Sequence, residues 1–269
     1  MRRAVLGLLV VSLLVLMLFA CRDEKPVADN NQTAANEPCS DKVLNPNVTP
    51  PDNQFGMHEV TVDKFVGMNG INTPLTGDML RGRIVWNLWT GDSWKMWDYL
   101  ARNGFGTSDL VKTIDSRNRD QRFQRIGTIN QPGYMKATKA DQWGLWIDVP
   151  RPGDPDGRFD EGIDPKTYGR SSGVIGLRIF DNPAFTGKHV DDWKAHIDAD
   201  GVNHDYYDDP EYYTNPNLVR PYAVGMACSF CHVSFDPVRP PANVHEPKYS
   251  NLNDYIGAQY LKVYEVFMP

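Results

Sequence analysis

Hydrophobic and polar positions divide the chain into unlike stretches. Ala4 to Ala20 is almost unbroken apolar sequence, with Arg2 and Arg3 before it and Cys21 directly after. Arg22 to Asn53 is rich in Asn, Asp, Pro, Thr and Ala and nearly free of large apolar groups. Such a stretch buries too little surface to offset the entropy of ordering it, so residues 21–54 read as a disordered tether. Helical periodicity then begins. Leu80, Ile84 and Leu88, with Val85 and Trp89, recur at helical spacing from Thr76 onward, where Thr76 or Asp78 can cap. Thr90-Gly91-Asp92 breaks the pattern, and a second helix runs from Ser93 to Asn103-Gly104.

Further on the signal comes in short pieces. Gly106 to Thr113 predicts a short third helix. Trp143 to Asp148 and Val174 to Phe180 predict short strands bounded by Gly and Pro. Pro150 to Tyr168 reads as a loop whose acids (Asp154, Asp156, Asp160, Glu161, Asp164) miss the spacing of a calcium loop. Lys188 to Asp209 is so polar that it reads as an exposed loop. Trp86, Trp89, Trp94 and Trp97 fall in the first two helices, where they serve either as core packing or as a wall against a large planar group.

Composition narrows the class. The 269 residues are 41% hydrophobic and 23% charged, which excludes wholesale disorder, collagen and coiled coil. The net charge of −6 and the lack of any basic run leave no footprint for nucleic acid. With 22 glycines and 20 prolines, many turns and short elements are expected.

Arg2 and Arg3 followed by the apolar run form a targeting segment, residues 1–20. Leu18-Phe19-Ala20-Cys21 reads as a bacterial lipobox, which makes Cys21 the lipidation site. An uncleaved anchor or a plain secretory signal are the alternatives. Each places the rest of the chain outside the cytoplasm, and the lipobox reading makes it a membrane-tethered periplasmic lipoprotein. Cys39 stands alone in the tether.

The motif that carries chemistry is Cys228-Ser229-Phe230-Cys231-His232, the C-x-x-C-H attachment signature of haem c. Two thiols one helical turn apart can each join a haem vinyl group, and the adjacent imidazole can then reach the iron. Cys228 and Cys231 are therefore the expected thioether anchors and His232 the metal ligand. A zinc site would want four ligands, usually as two pairs. A thioredoxin-like pair would want a hydrophobic strand in a βαβ setting, whereas Pro221 to Ala227 is short and interrupted by Gly225. Arg220 and Arg239 flank the motif as candidates for the haem propionates, or as ordinary surface arginines. For the opposite side of the iron, His245 and Met268 lie downstream and His58, His189, His196 and His204 upstream. None sits convincingly, so that position is expected to be weakly occupied.

Longer stretches resemble a family. Gly82-Arg83, Trp86-Asn87-Leu88-Trp89-Thr90-Gly91 and Trp97-Asp98 resemble the opening motif of exported di-haem cytochromes similar to the bacterial rubber oxygenase. So do Gly144 to Asp148, Gly173 to Arg178, Leu218 to Tyr222, Gly225-Met226, Asp236-Pro237, Pro240-Pro241-Ala242 and Gly257 to Tyr260. The resemblance covers roughly residues 58–269. In that family a second C-x-x-C-H follows, so the resemblance implies a truncated di-haem protein or a shortened mono-haem relative.

The expected fold is therefore mainly α with short strands and many loops, with cytochrome c-like haem-binding helices in an incomplete domain. Residues 55–217 would form a Trp-rich N-terminal region and 218–269 the haem-binding segment. The expected function is a c-type cytochrome transferring electrons in the periplasm, with a redox protein or a small-molecule oxidant as partner. The alternatives are a haem-dependent oxygenase or peroxidase acting at an open iron site, and a haem-bearing sensor or docking subunit.

Overall fold

The computed structural model describes residues 77–104, 108–161, 163–254 and 256–267. The targeting segment, the tether, Cys21, Cys39, His58, Thr76 and Met268 lie outside the described residues.

The first two helices stand where the periodicity puts them. α1 spans Gly77–Leu88 and α2 spans Trp94–Asn103. Between them Gly91 and Asp92 both take positive φ, 56° and 57°, which ends one helix and re-aims the next. The third helix is shorter than expected. α3 covers Leu110–Thr113, and its N-cap Asp109 accepts a hydrogen bond from the Val111 N–H.

The chain then turns repeatedly. A 3-10 turn at Ser116–Gln121 leads into α4, Arg122–Ile126. Tyr134–Met135 (β1) pairs antiparallel with Val149–Pro150 (β2). Asp164 caps the turn α5, Pro165–Tyr168, with proline at its first position. A three-stranded antiparallel sheet follows, formed by Arg170–Ser171 (β3), Leu177–Asp181 (β4) and Tyr222–Met226 (β5), with β4 in the middle. Three short helices lie between β4 and β5, at Lys188–Lys194 (α6), His204–Asp208 (α7) and Pro210–Tyr213 (α8). The C-x-x-C-H motif supplies α9, Ser229–His232. Ser234–Phe235 (β6) pairs with Leu252–Asn253 (β7), and α10 covers Val263–Phe267.

This architecture corrects the expected cytochrome c-like, mainly α fold. Only three helices of the described residues reach seven residues, and the sheets are small and antiparallel. The C-x-x-C-H motif does not open a long helix. Its single turn is held between β5 and β6, and Val233 leaves it in extended conformation. Pro237, Pro240 and Pro241 then deny the following segment the backbone donors a helix needs.

Other expectations also shift. The predicted strand at Trp143–Asp148 is irregular backbone with one bridge, Ile147 to Asp115, and its strand lies just beyond, at β2. The supposed exposed loop Lys188–Asp209 folds into α6 and α7, because Trp193 and Tyr206 are each almost wholly buried. Among the described residues no helix is long and apolar enough to cross a membrane.

Two apolar clusters hold these pieces together. One gathers Leu88, Tyr134, Phe159, Val233, Tyr249 and Leu252. The other gathers Leu110, Ile114, Leu177, Trp193, Val224 and Phe230 among others. The motif turn joins them, since Phe230 enters one cluster and Val233 the other. Fully burying such a side chain contributes about 1.5–3 kcal/mol, so short elements can be fixed by their anchors rather than by their length.

Arginine is buried in unusual number. Arg119 and Arg122 both pair with Asp148, and all three are almost free of solvent. Arg122 also donates to the Ile114 carbonyl at 2.5 Å and Arg119 to the Tyr134 carbonyl at 2.8 Å. In β4, Arg178 donates to the Tyr168 and Gly169 carbonyls and to Asp160, each at 2.8 Å. Arg83 of α1 pairs with Asp254. Each pair ties segments far apart in sequence, which substitutes for long helices as a source of order.

Candidate functional site

The motif turn is locked from behind and open in front. Ser229 and Phe230, the two residues between the cysteines, are buried, while Cys228, Cys231 and His232 are exposed. The Ser229 hydroxyl donates to the Asn87 carbonyl of α1 at 3.1 Å. Behind Phe230 lies Gly176, at φ 77°, where a Cβ would stand 2.2 Å from the Phe230 nitrogen. Only glycine permits both that backbone conformation and that approach. The Ala227 N–H donates to the Gly176 carbonyl at 2.8 Å, which fixes the residue just before the motif.

Two further segments close on the turn. Gly225 of β5 packs on Thr90, leaving 2.8 Å between that side chain and a Cβ position. Ser93 clamps the same strand end, accepting from the Met226 N–H at 3.0 Å. On the far side the Ala258 N–H donates to the Cys231 carbonyl at 2.8 Å. Segments around Asn87, Thr90, Gly176, Gly225 and Ala258 thus converge on one four-residue helix.

The open face bears aromatic groups. The Trp86 indole lies 5.2 Å from the His232 imidazole, centroid to centroid, at 50°. Trp86 is 40% and Trp89 53% exposed, which is high for tryptophan. The other two tryptophans behave differently. Trp94 stacks on Phe180 at 6.1 Å and Trp97 on Phe267 at 5.0 Å. Trp86 of α1 therefore faces outward beside His232 and Trp89, one residue past α1, is exposed, while the pair on α2 packs against other rings.

The donor set discriminates among occupants. Partial burial pushes both thiols up from the ordinary cysteine value, with the neighbouring Cys228 adding to the shift at Cys231. A catalytic dithiol needs the opposite shift. The approach to the motif does prove to be a strand, β5, but its partner is antiparallel and the helix after it has a single turn. Neither feature makes a βαβ unit. A single metal ion fits no better. Among the described residues, the group of metal-ligating atoms lying within 4.8 Å of one another is Asp198, Asp200 and His204, not the motif. Two thiols and an imidazole that share a face without converging suit a macrocycle, which takes the sulfurs at its edge and the nitrogen at its centre. The residues present fit haem c in this respect.

The flanking arginines part company. Arg220 does not face the thiols. It is buried, its Nε donates to Asp109 Oδ2 at 2.8 Å, and one of its Nη atoms donates to the Tyr213 carbonyl at 3.1 Å. Tyr206 donates to the same carboxylate oxygen at 3.0 Å. Arg239 is turned to solvent and donates to Asp236 at 2.9 and 3.0 Å.

The remaining histidines are held elsewhere. The Nδ1 of His196 meets Asp205 at 2.6 Å, and the Nε2 of His204 meets Asp200 at 2.9 Å. His245 Nε2 lies 3.1 Å from Gln124, and His189 is exposed. Sequence reasoning missed the Trp86–His232 contact and the buried Arg–Asp pairs. Nothing local in the sequence marks them, since their partners are far apart along the chain. No protein-family model, curated protein or solved structure matches the chain.

Proposed function

We propose that Cys228 and Cys231 hold haem c through thioether bonds, that His232 ligates its iron, and that the chain is an exported electron-transfer protein. The observation that carries this reading is the open face itself, with two exposed thiols and the adjoining imidazole bordered by the outward-facing Trp86. Bound there, the haem supplies a one-electron redox centre. The chain's own part is to present the donors from a rigid turn, anchored by Ser229 and Phe230, and to wall the imidazole with Trp86. Of the flanking arginines Arg239, though paired with Asp236, is the one that solvent and an anionic group can reach, because Arg220 is buried against Asp109.

The targeting segment supports attachment outside the cytoplasm, and Cys21 supports a periplasmic lipoprotein tethered to the membrane. A redox protein or a small-molecule oxidant is the partner. The test is acid–acetone extraction of protein co-produced with haem-attachment machinery. Haem should stay with the wild-type chain and leave the Cys228→Ala, Cys231→Ala variant. Free extraction from the wild type would overturn the proposal.

A second reading, an oxygenase or peroxidase at an open iron, draws on one observation. His196, His204 and His245 already have polar partners. That favours a displaceable sixth ligand and hence carbon monoxide binding to the ferrous protein. A low-spin spectrum indifferent to the gas would leave electron transfer alone.

A further inference from the structure

We infer that Trp86 is the positioning residue for the His232 imidazole, an inference that rests on the haem reading above. A histidine that ligates a metal ordinarily donates its other ring N–H to a carboxylate, a carbonyl or water, and that bond fixes the plane of the ring. Among the described residues no side chain or backbone group hydrogen-bonds the His232 ring. The carboxylates that follow along the chain are committed elsewhere, Asp236 to Arg239, Glu246 to Arg151 and Asp254 to Arg83. What touches the ring is the Trp86 indole, 5.2 Å away and tilted by 50°.

Trp86 is well placed to act as a fixed wall. Its helix is bound to the motif turn one residue further on, where Asn87 accepts from Ser229. The Asn87 side chain donates back to the Arg83 carbonyl at 2.9 Å, and Arg83 is itself paired with Asp254. The indole is thus carried on a segment that cannot shift without breaking a buried ion pair. It also remains 40% exposed, so its role is not to fill the core. Contact with a tilted ring restricts rotation of the imidazole by packing, where a hydrogen bond would do so by direction. The same indole covers one side of the ligand from water. An apolar cover disfavours the more highly charged ferric state and so raises the reduction potential.

The experiment uses the full haem-loaded chain with Trp86→Ala, Trp86→Phe and, as a control, Trp89→Ala. Midpoint potential and ferric electron paramagnetic resonance are measured in each, and the His232 ring protons are followed by NMR in the haem-free chain. Trp86→Ala should lower the potential, spread the ferric signal and shift the ring protons as the indole ring current is lost. Trp86→Phe should restore most of each change, and Trp89→Ala should match the wild type. Haem retained with Trp86→Ala indistinguishable from wild type would overturn this inference alone. Haem that extracts freely from the wild type would overturn the haem reading and this inference with it.

Discussion

The Cys228–His232 turn and the Arg119–Arg122–Asp148 cluster show opposite treatments of costly groups. The cluster takes three charges out of water and meets each with a counter-charge or a carbonyl. The turn does the reverse, leaving two thiols and an imidazole in contact with solvent beside the exposed Trp86 indole. Buried charge held by a shared carboxylate and by backbone carbonyls works as scaffold, since solvent does not reach it. Exposed apolar and metal-ligating groups on a rigid turn are uncompensated in the bare chain, and a planar ligand would compensate them. The difference separates what holds this fold from what the fold holds out.

The largest expected effect breaks the scaffold. Asp148→Ala leaves two buried guanidinium groups without their carboxylate, a loss of about 3–5 kcal/mol. Urea denaturation should show a much lower midpoint, or no cooperative transition. A change below 1 kcal/mol would mean that the cluster is not the sealed region described.

Gly176→Ala joins the two regions. The new methyl would meet the Phe230 backbone and demand a left-handed conformation of an L-residue. The conformation costs about 1–2 kcal/mol and the overpacking about 1–3 kcal/mol. Because the strain falls behind the cysteines, the proposed covalent attachment of haem should fall in yield together with stability. Lower stability at unchanged haem content would uncouple the turn from its backing.

The smallest effect concerns pH at the margin of the second arginine cluster, Arg220–Asp109. Desolvation pushes the Lys112 amine down to about 8, against the attraction of Asp109 and with the help of repulsion from Arg220. Its nitrogen sits 3.1 Å from the centre of the Tyr213 ring. From pH 8 to 10 the unfolded chain binds more protons at this lysine than the folded one, so stability rises with pH. Below pH 8 the cost of the buried ammonium is present in full. Above pH 10 the trend reverses in part, because burial pushes Tyr168 and Tyr222 up to about 12 and their stabilisation is lost as the unfolded phenols ionise. Lys112→Met should flatten the rise between pH 8 and 10 in thermal melts. An unchanged slope would exclude Lys112 as its source.

Sequence alone determined the features that depend on neighbours a few residues away. The break at Thr90–Asp92 and the two helices beside it follow from local pattern, because a Gly and an Asp that accept positive φ interrupt helical spacing. The C-x-x-C-H spacing is local for the same reason, since one turn of chain sets the distance between its thiols. Burial was decided only by tertiary structure. Arg220 looked like a surface group near the motif, yet it pairs with Asp109, which lies 111 residues earlier. Four tryptophans at similar helical spacing were alike in sequence, but Trp94 and Trp97 found Phe180 and Phe267 while Trp86 and Trp89 stayed outside. The cytochrome c-like helices expected around the motif gave way to single turns and small sheets. Glycine and proline end elements early, and buried arginine–aspartate pairs supply from distant segments the order that helix length would otherwise provide.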